Sequence, residues 1–282
     1  AKDGDHILLE ITKWGKNQHK TFYGKILEVL KNQSENDIAM QSILLDNGFE
    51  LHFPQEVMDE AAAISREITT NEVARRRDMR GTTTFTIDPE TAKDFDDALS
   101  FKQLENGNYE VGVHIADVAH YIEEGSALDK EALNRSTSVY LVDRVLPMLP
   151  EELSNDLCSL NPNEDKYTFS AIFEMKKNGK IKSEWFGRTV IHSNRRFTYE
   201  EAQERLESKK GDFQEELNIL NKIHHNLREH RYKNGSISFE SEEVRFILDD
   251  NGKPIDTYIK ERKDAHMLVE DFMLLANRSV GK

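Results

Sequence analysis

The stretch Thr82–Leu99, TTTFTIDPETAKDFDDAL, places Asp88, Asp94, Asp96 and Asp97 within ten residues. Four like charges this close repel, and a packed fold holds them only where hydrogen bonds or cations offset the repulsion. The Thr- and Phe-rich run Thr82–Ile87 is a strand former, and Pro89 lacks the N–H that a sheet ladder needs. Asp88 is therefore expected at a strand end, with the other three aspartates in the loop behind it. On a regular strand Asp96 and Asp97 would point to opposite faces, whereas an irregular loop can turn both, beside Asp94, toward one ion or two neighbouring ones. Carboxylate oxygens without Cys or His among them favour magnesium or manganese over zinc. The competing reading is a solvated acidic loop, the commoner meaning of a charge run. Against it, Phe95 lies inside the cluster and Ala98-Leu99 follow it, so apolar anchors draw the loop toward a core. An EF-hand is a poor match, since the D-x-D-x-D-G order and the closing Glu are missing.

With 282 residues and 37% hydrophobic content, the chain can bury a sizeable core and divides into a small and a larger domain. No apolar run approaches a membrane span, and Cys158 is the single cysteine, which excludes an intrachain disulfide and a thiolate zinc site. A reducing cytoplasm fits both. A net charge of -14 counts against a nucleic-acid binder, although the aspartate cluster itself carries part of it. Local basic groups at Arg75-Arg76-Arg77, Arg80 and Arg195-Arg196 either line a groove that tracks a phosphate backbone or form a plain surface stripe.

Along the chain, Asp5–Trp14 and Phe22–Leu30 read as strands, Lys31–Asp37 as a loop, and Leu44–Phe53 as a third, shorter apolar segment. That is too little for a closed OB-type barrel. Trp14, Phe22 and Tyr23 could stack bases, but lone aromatics on short strands are more often core. Pro54–Ile68 is expected as a connecting helix. Asn106-Gly107 before YEVGVHI, and Asn178-Gly179 between Tyr167–Met175 and Lys182–His192, signal two hairpins, the second with Phe169 and Phe173 toward the core. Asp117 is a further possible ligand or, more simply, a turn or cap residue. Tyr140 precedes a proline-framed stretch, and by itself reads as a packed residue. Thr198 with Glu201 begins a helix, and a second helix carries Leu217, Leu220 and Leu227, with His224, His225 and His230 expected at the surface and Gly235 closing it. Ala265–Asn277 is a helix apolar on most of its circumference, so Glu270 is expected to be buried and paired with an arginine, protonated or bound to metal.

The segments IDPETAKDFDDA, VHIADVAHYI, NRSTSVYLVDRVLPMLPEELSNDLCSLNP, GSISFES and DAHMLVEDFMLLAN, in that order, resemble the catalytic domain of the ribonuclease II / ribonuclease R family from about Arg76 onward. The part before it resembles the family's second cold-shock domain. The resemblance implies an α+β fold: the N-terminal portion of an RNB-type catalytic domain (81–282) behind a partial OB/cold-shock domain with its connecting helix (1–66) and a linker (67–80). It implies a magnesium-dependent, or manganese-dependent, 3′-to-5′ exoribonuclease that acts on single-stranded RNA and releases nucleoside 5′-monophosphates, without an organic cofactor or a membrane. Asp88 and Asp97 would hold the principal ion, Asp94 and Asp96 would complete the carboxylate nest, and Glu270 would be the family's active-site glutamate. Tyr140 and Phe239 would stack on bases. The sequence departs from the family in stopping at Lys282, before the segment with the family's active-site arginine, so this chain alone is expected to show little activity. Two other readings are a catalytically silent RNA-binding module of the same fold and a phosphatase of small phosphoesters, for which Tyr140 and Phe239 would have no use.

Overall fold

The computed structural model describes residues 1–3, 6–14, 22–30, 34–237, 243–249 and 252–282, which fall into two compact units. The smaller comprises residues 1–53, 138–146 and 245–258. In it β1 (His6–Lys13) pairs antiparallel with β2 (Tyr23–Leu30). Helix α1 (Glu35–Asp46) follows, where the sequence reading placed a loop up to Asp37 and an apolar segment from Leu44. The reason is a capping box: the Asp37 N–H donates to the Ser34 hydroxyl at 3.1 Å, and the Ser34 N–H donates to the Asp37 carboxylate at 3.0 Å. Two further ribbons, β7 (Val139–Tyr140) with β8 (Val145–Leu146) and β12 (Val244–Leu248) with β13 (Pro254–Ile259), are also two-stranded. Trp14, Phe22 and Tyr23, expected in a core, are exposed to 68%, 50% and 62%. A two-stranded ribbon cannot bury both of its faces.

The larger unit comprises residues 54–137, 147–244 and 259–282. Its first helix, α2 (Gln55–Ala63), stops where Ile64 turns extended, earlier than the expected Ile68. Residues 67–80 are built into this unit through α3 (Thr70–Val73), the buried Arg76 and β3 (Arg77–Asp78). A mixed sheet is formed by β4 (Thr83–Asp88), β5 (Asp97–Gln103), β6 (Tyr109–Ala116), β9 (Asp165–Met175), β10 (Ile181–His192) and β11 (Arg195–Thr198) together with β3, in the order β11-β4-β5-β6-β9-β10-β3. The edge pairs β11–β4 and β10–β3 are parallel and the interior pairs antiparallel. Both Asn-Gly signals are realised as hairpin turns, with Gly107 at φ 76° and Gly179 at φ 78°.

Directly paired residues share a face, and the row Phe85, Leu99, Val113 and Ala171 runs across four strands under a helical layer. That layer is α6 (Tyr199–Ser208), α7 (Gln214–Lys233) and α8 (Asp264–Val280), which bury Ala202, Leu217, Leu220, Leu268 and Phe272 against the sheet. The opposite face carries a buried polar seam of Ser100, His114, Thr168, Ser170 and Thr189, in which His114 Nδ1 lies 2.6 Å from the Ser170 hydroxyl. A side chain at Gly112 would meet Ser100 Oγ at 2.4 Å, so this seam needs glycine there. Phe173 is buried as expected, but Phe169, on the same face, is 46% exposed. It pairs with Ile115, which in turn pairs with Asp97, in a row that the helices leave uncovered. Helices α4 (Val118–Tyr121) and α5 (Ala127–Arg135) and a π-helical turn at Glu152–Leu157 complete the unit.

Candidate active site

Asp88 is the last residue of β4 and Asp97 the first of β5, so the connection Pro89–Asp96 is the aspartate loop that the sequence indicates. Phe95 anchors it. The ring is buried, the Phe95 N–H donates to the Ser159 hydroxyl at 3.0 Å, and the Leu160 N–H donates to the Phe95 carbonyl at 2.8 Å. Ser159 Oγ also donates to the Lys93 carbonyl at 3.1 Å. The segment NDLCSLNP thus clamps the loop from one side. Cys158 beside it is buried, and burial pushes its thiol up to about 12, so it stays protonated.

Arg196 clamps the other end, donating to the carbonyls of Pro89 (2.6 Å) and Glu90 (3.0 Å) with its guanidinium 5.4 Å from the Phe95 ring centre. Thr198 pairs with Asp88 in the sheet, and the capping box of Thr198 with Glu201 starts α6 there, which places Tyr199 at the aspartates. Tyr199 stacks on His266 with ring centres 4.0 Å apart, and its hydroxyl is pushed up to about 12 by burial and then by the charges of Asp88 and Asp97. Sequence reasoning missed Ser159, Arg196 and Tyr199 as neighbours of the aspartates. The usable signal was RRFT ahead of the capping threonine.

The carboxylates are poorly neutralised. Among the described residues none of Asp88, Asp96 and Asp97 has an ion-pair partner, and Asp88 Oδ2 is buried with no hydrogen bond. Burial drives Asp88 up to about 7; Asp97 and Asp96 add to this, while Thr86 and Arg196 oppose it. Burial and then Asp96 drive Asp97 up to about 6. Asp96, whose side chain reaches the surface, is also raised, by desolvation and by Asp94. An orphaned carboxylate oxygen among acids held above their ordinary range is a donor set suited to a hard divalent cation. The nest is open: among the described residues, three of its ligand oxygens do not come within 4.8 Å of one another. Exposed Ile115 and Phe169 continue the row from Asp97 and give the site an apolar border.

The remaining candidates lie elsewhere. Glu270 is half-exposed rather than buried; it pairs with Arg262 and lies 4.0 Å from Arg231. The buried acid of α8 is its neighbour Asp271, which pairs with Arg231 at 2.8 Å and His224 at 3.0 Å. His224, expected at the surface, is fully buried. The helix turns about 100° per residue, so a one-residue error in phase exchanges the two acids. Asp117 is buried and paired with Arg76 at 2.8 Å. The other basic groups proposed for a groove are also engaged: Arg77 with Glu110, Arg80 with Asp78 and Asp165, and Arg195 with Glu201 and Asp212. Tyr140 is 66% exposed in the smaller unit, and Phe239 lies outside the described residues.

Residues 76–282 match the RNB domain family and residues 1–54 a cold shock domain family. Ribonuclease R 1 of Lactococcus lactis is 38% identical over 282 residues, covering 98% of this chain and 34% of that protein. Ribonuclease R of Aquifex aeolicus is 40% identical over 286 residues, covering 99% and 40%. The chain thus spans about a third of the length of the curated relatives it matches. Among solved structures, Mycoplasma genitalium RNase R in complex with double-stranded RNA superposes with a TM-score of 0.87 at 30% identity, over 98% of this chain and 50% of that one. Yeast Ssd1, a pseudonuclease, shares the fold with a TM-score of 0.71 at 21% identity, over 96% and 34%.

Proposed function

The chain belongs to the RNB domain family, and on that premise we propose that it carries the aspartate site of a divalent-metal-dependent hydrolase that shortens single-stranded RNA from its 3′ end. The products are nucleoside 5′-monophosphates. The observation that supports this reading is the buried, unpartnered Oδ2 of Asp88 among carboxylates whose protons are held to about pH 6–7. Asp88 and Asp97 would hold the principal magnesium, and Asp94 and Asp96 would complete the nest and orient water. A divalent cation bound there supplies Lewis-acid activation of water and offsets charge on the phosphate.

The chain's own residues do the positioning. Ser159 and Arg196 fix the two ends of the loop, and Arg196, committed to two carbonyls and the Phe95 ring, serves as a clamp rather than as the cation over the phosphate. The Tyr199–His266 stack walls one side of the aspartates, and Ile115 and Phe169 border another. Tyr140 and Phe239 would stack on bases, and Glu270, which pairs with Arg262 in this structure, would be the further acid for metal or water.

Titration of the chain with Mn2+, followed by electron paramagnetic resonance, tests the metal site: Asp88→Asn and Asp97→Asn should abolish binding, and unchanged binding would overturn it. End-labelled single-stranded RNA, offered to a version extended to the length of its relatives, should yield mononucleotides. Internal cleavage would overturn the exonucleolytic assignment. RNA binding without any hydrolysis would favour the silent module.

A further inference from the structure

A second group of metal-ligating side chains lies on α7 and the first turn of α8. His224, His225 and Asp264 each offer a ligand atom, and these atoms all lie within 4.8 Å of one another. None of the three belongs to the aspartate loop. We propose that they form a site for a borderline transition-metal ion of the zinc class, which ties the start of α8 to α7.

Three observations carry this. His225 Nε2 lies 3.4 Å from Asp264 Oδ2. Zinc bonds of about 2.0–2.1 Å at the tetrahedral angle place neighbouring donors about 3.3–3.4 Å apart, so this pair already has the spacing of one edge of a tetrahedral site. Second, His224 is fully buried, and its Nδ1 meets Asp271 Oδ2 at 3.0 Å, while its Nε2 is buried with no hydrogen-bond partner among the described residues. A carboxylate that accepts the Nδ1 proton fixes the tautomer in which Nε2 keeps its lone pair, the arrangement that supports metal-bound histidines. Third, Asn221, one turn earlier on α7, has a buried and unpartnered Oδ1, while its Nδ2 is 3.4 Å from Asp264 Oδ2. Reversal of that amide would set its oxygen against the carboxylate oxygen, a contact of two acceptors that a cation between them would relieve.

The charges assign separate tasks to the two acids. Asp271 is held by Arg231 at 2.8 Å and faces Arg228 at 3.6 Å, so it orients His224 and leaves Asp264 as the anionic ligand. Two imidazoles and one carboxylate suit zinc or cobalt and discriminate against magnesium, which the aspartate loop prefers.

The test is titration of the chain with Co2+ in excess Mg2+, which keeps the carboxylate nest filled, with visible absorption as the readout. Wild type should develop the band of a four- or five-coordinate nitrogen-ligated ion, and Zn2+ should displace it. His225→Ala and Asp264→Asn should each weaken Co2+ binding by about tenfold or more. Both side chains are partly exposed, at 53% and 35%, so these variants should keep the wild-type circular dichroism. Asp97→Asn should leave the band intact even where it abolishes Mn2+ binding, which separates this site from the aspartate site. No band in wild type, an unchanged band in His225→Ala, or loss of the band in Asp97→Asn would overturn the proposal.

Discussion

Asp88 and Asp271 are both carboxylates buried in the larger unit, 8% and 4% exposed, yet their surroundings are opposite. Asp271 receives Arg231 and His224 within 3.0 Å, with Arg228 close by, all from one stripe of α7. Asp88 has an oxygen with no partner, and its charged neighbours include two more acids. A buried ion pair costs desolvation but is internally compensated, so it can serve structure alone. A buried acid left uncompensated either keeps its proton or takes up a cation from solution. Burial by itself therefore says little about function. The informative feature is which acids the chain declines to neutralise.

The largest expected effect breaks this contrast at the aspartates. In a version extended to the length of its relatives, Asp96→Asn should lower hydrolysis by roughly 10²–10³-fold or more, the scale of losing a charge-positioning group, while RNA affinity by anisotropy changes little. Undiminished turnover would remove Asp96 from the machinery. At the other region the loss should be one of stability. Asp271→Asn leaves the partly exposed Arg231 and Arg228 without their buried anion, with Glu270 still 4.0 Å from Arg231, and denaturant unfolding should show a cost of about 3 kcal/mol. A neutral outcome would mean that these cations already reach solvent well enough to need no partner.

The contrast was only half legible in the sequence. The strand, the proline stop and the apolar Phe95 inside the acids located the aspartate loop, because local propensity and tertiary packing agree there. The Asn-Gly hairpins and the Thr198–Glu201 cap were legible for the same reason. Helix phase was not. An apolar run such as AHMLVEDFMLLAN does not reveal whether Glu270 or Asp271 faces α7; the partners that decide it, His224, Arg228 and Arg231, sit 47, 43 and 40 residues earlier than Asp271. Their spacing of four and then three was readable as one helical stripe, but its partner was not. The helix α1 was missed because Ser34 and Asp37 looked like loop composition, although that pair is a capping box.

Metal-free stability against pH gives a smaller effect that sharpens the comparison. Asp88 and Asp97 in the folded chain hold their protons up to about 7 and about 6, above the ~3.9 of an unfolded aspartate. The folded state then binds more protons than the unfolded state between these values, so stability should fall as pH rises from about 4 to about 7. Asp88→Asn should flatten that slope and stabilise the metal-free chain at pH 8, on the order of 1–3 kcal/mol. Added Mg2+ should raise the wild-type melting temperature at pH 8 and leave the variant unmoved. His114, held down to about 3 by burial and by Arg77, contributes the opposite slope below pH 6.5, and it does so equally in both proteins. A melting curve in which Asp88→Asn and wild type run parallel from pH 5 to 8 would show that Asp88 is already neutralised.

The smallest effect concerns the clamp rather than the acids. Ser159→Ala removes one hydroxyl that accepts from the Phe95 N–H and donates to the Lys93 carbonyl, both within the aspartate loop. The Phe95 amide is left in a buried setting without its acceptor, so unfolding should cost about 1–2 kcal/mol less than in wild type. If the loop is a preorganised cation site, the same change should weaken Mn2+ binding several-fold, because part of the binding energy must then order Lys93–Asp97. The control lies in the apolar core away from both acid groups: a change there of equal stability cost should leave Mn2+ affinity as it is. Ser159→Ala with reduced stability and unaltered Mn2+ affinity would show that the carboxylates hold their positions without the clamp, and the contrast between the two acid groups would then rest on charge alone.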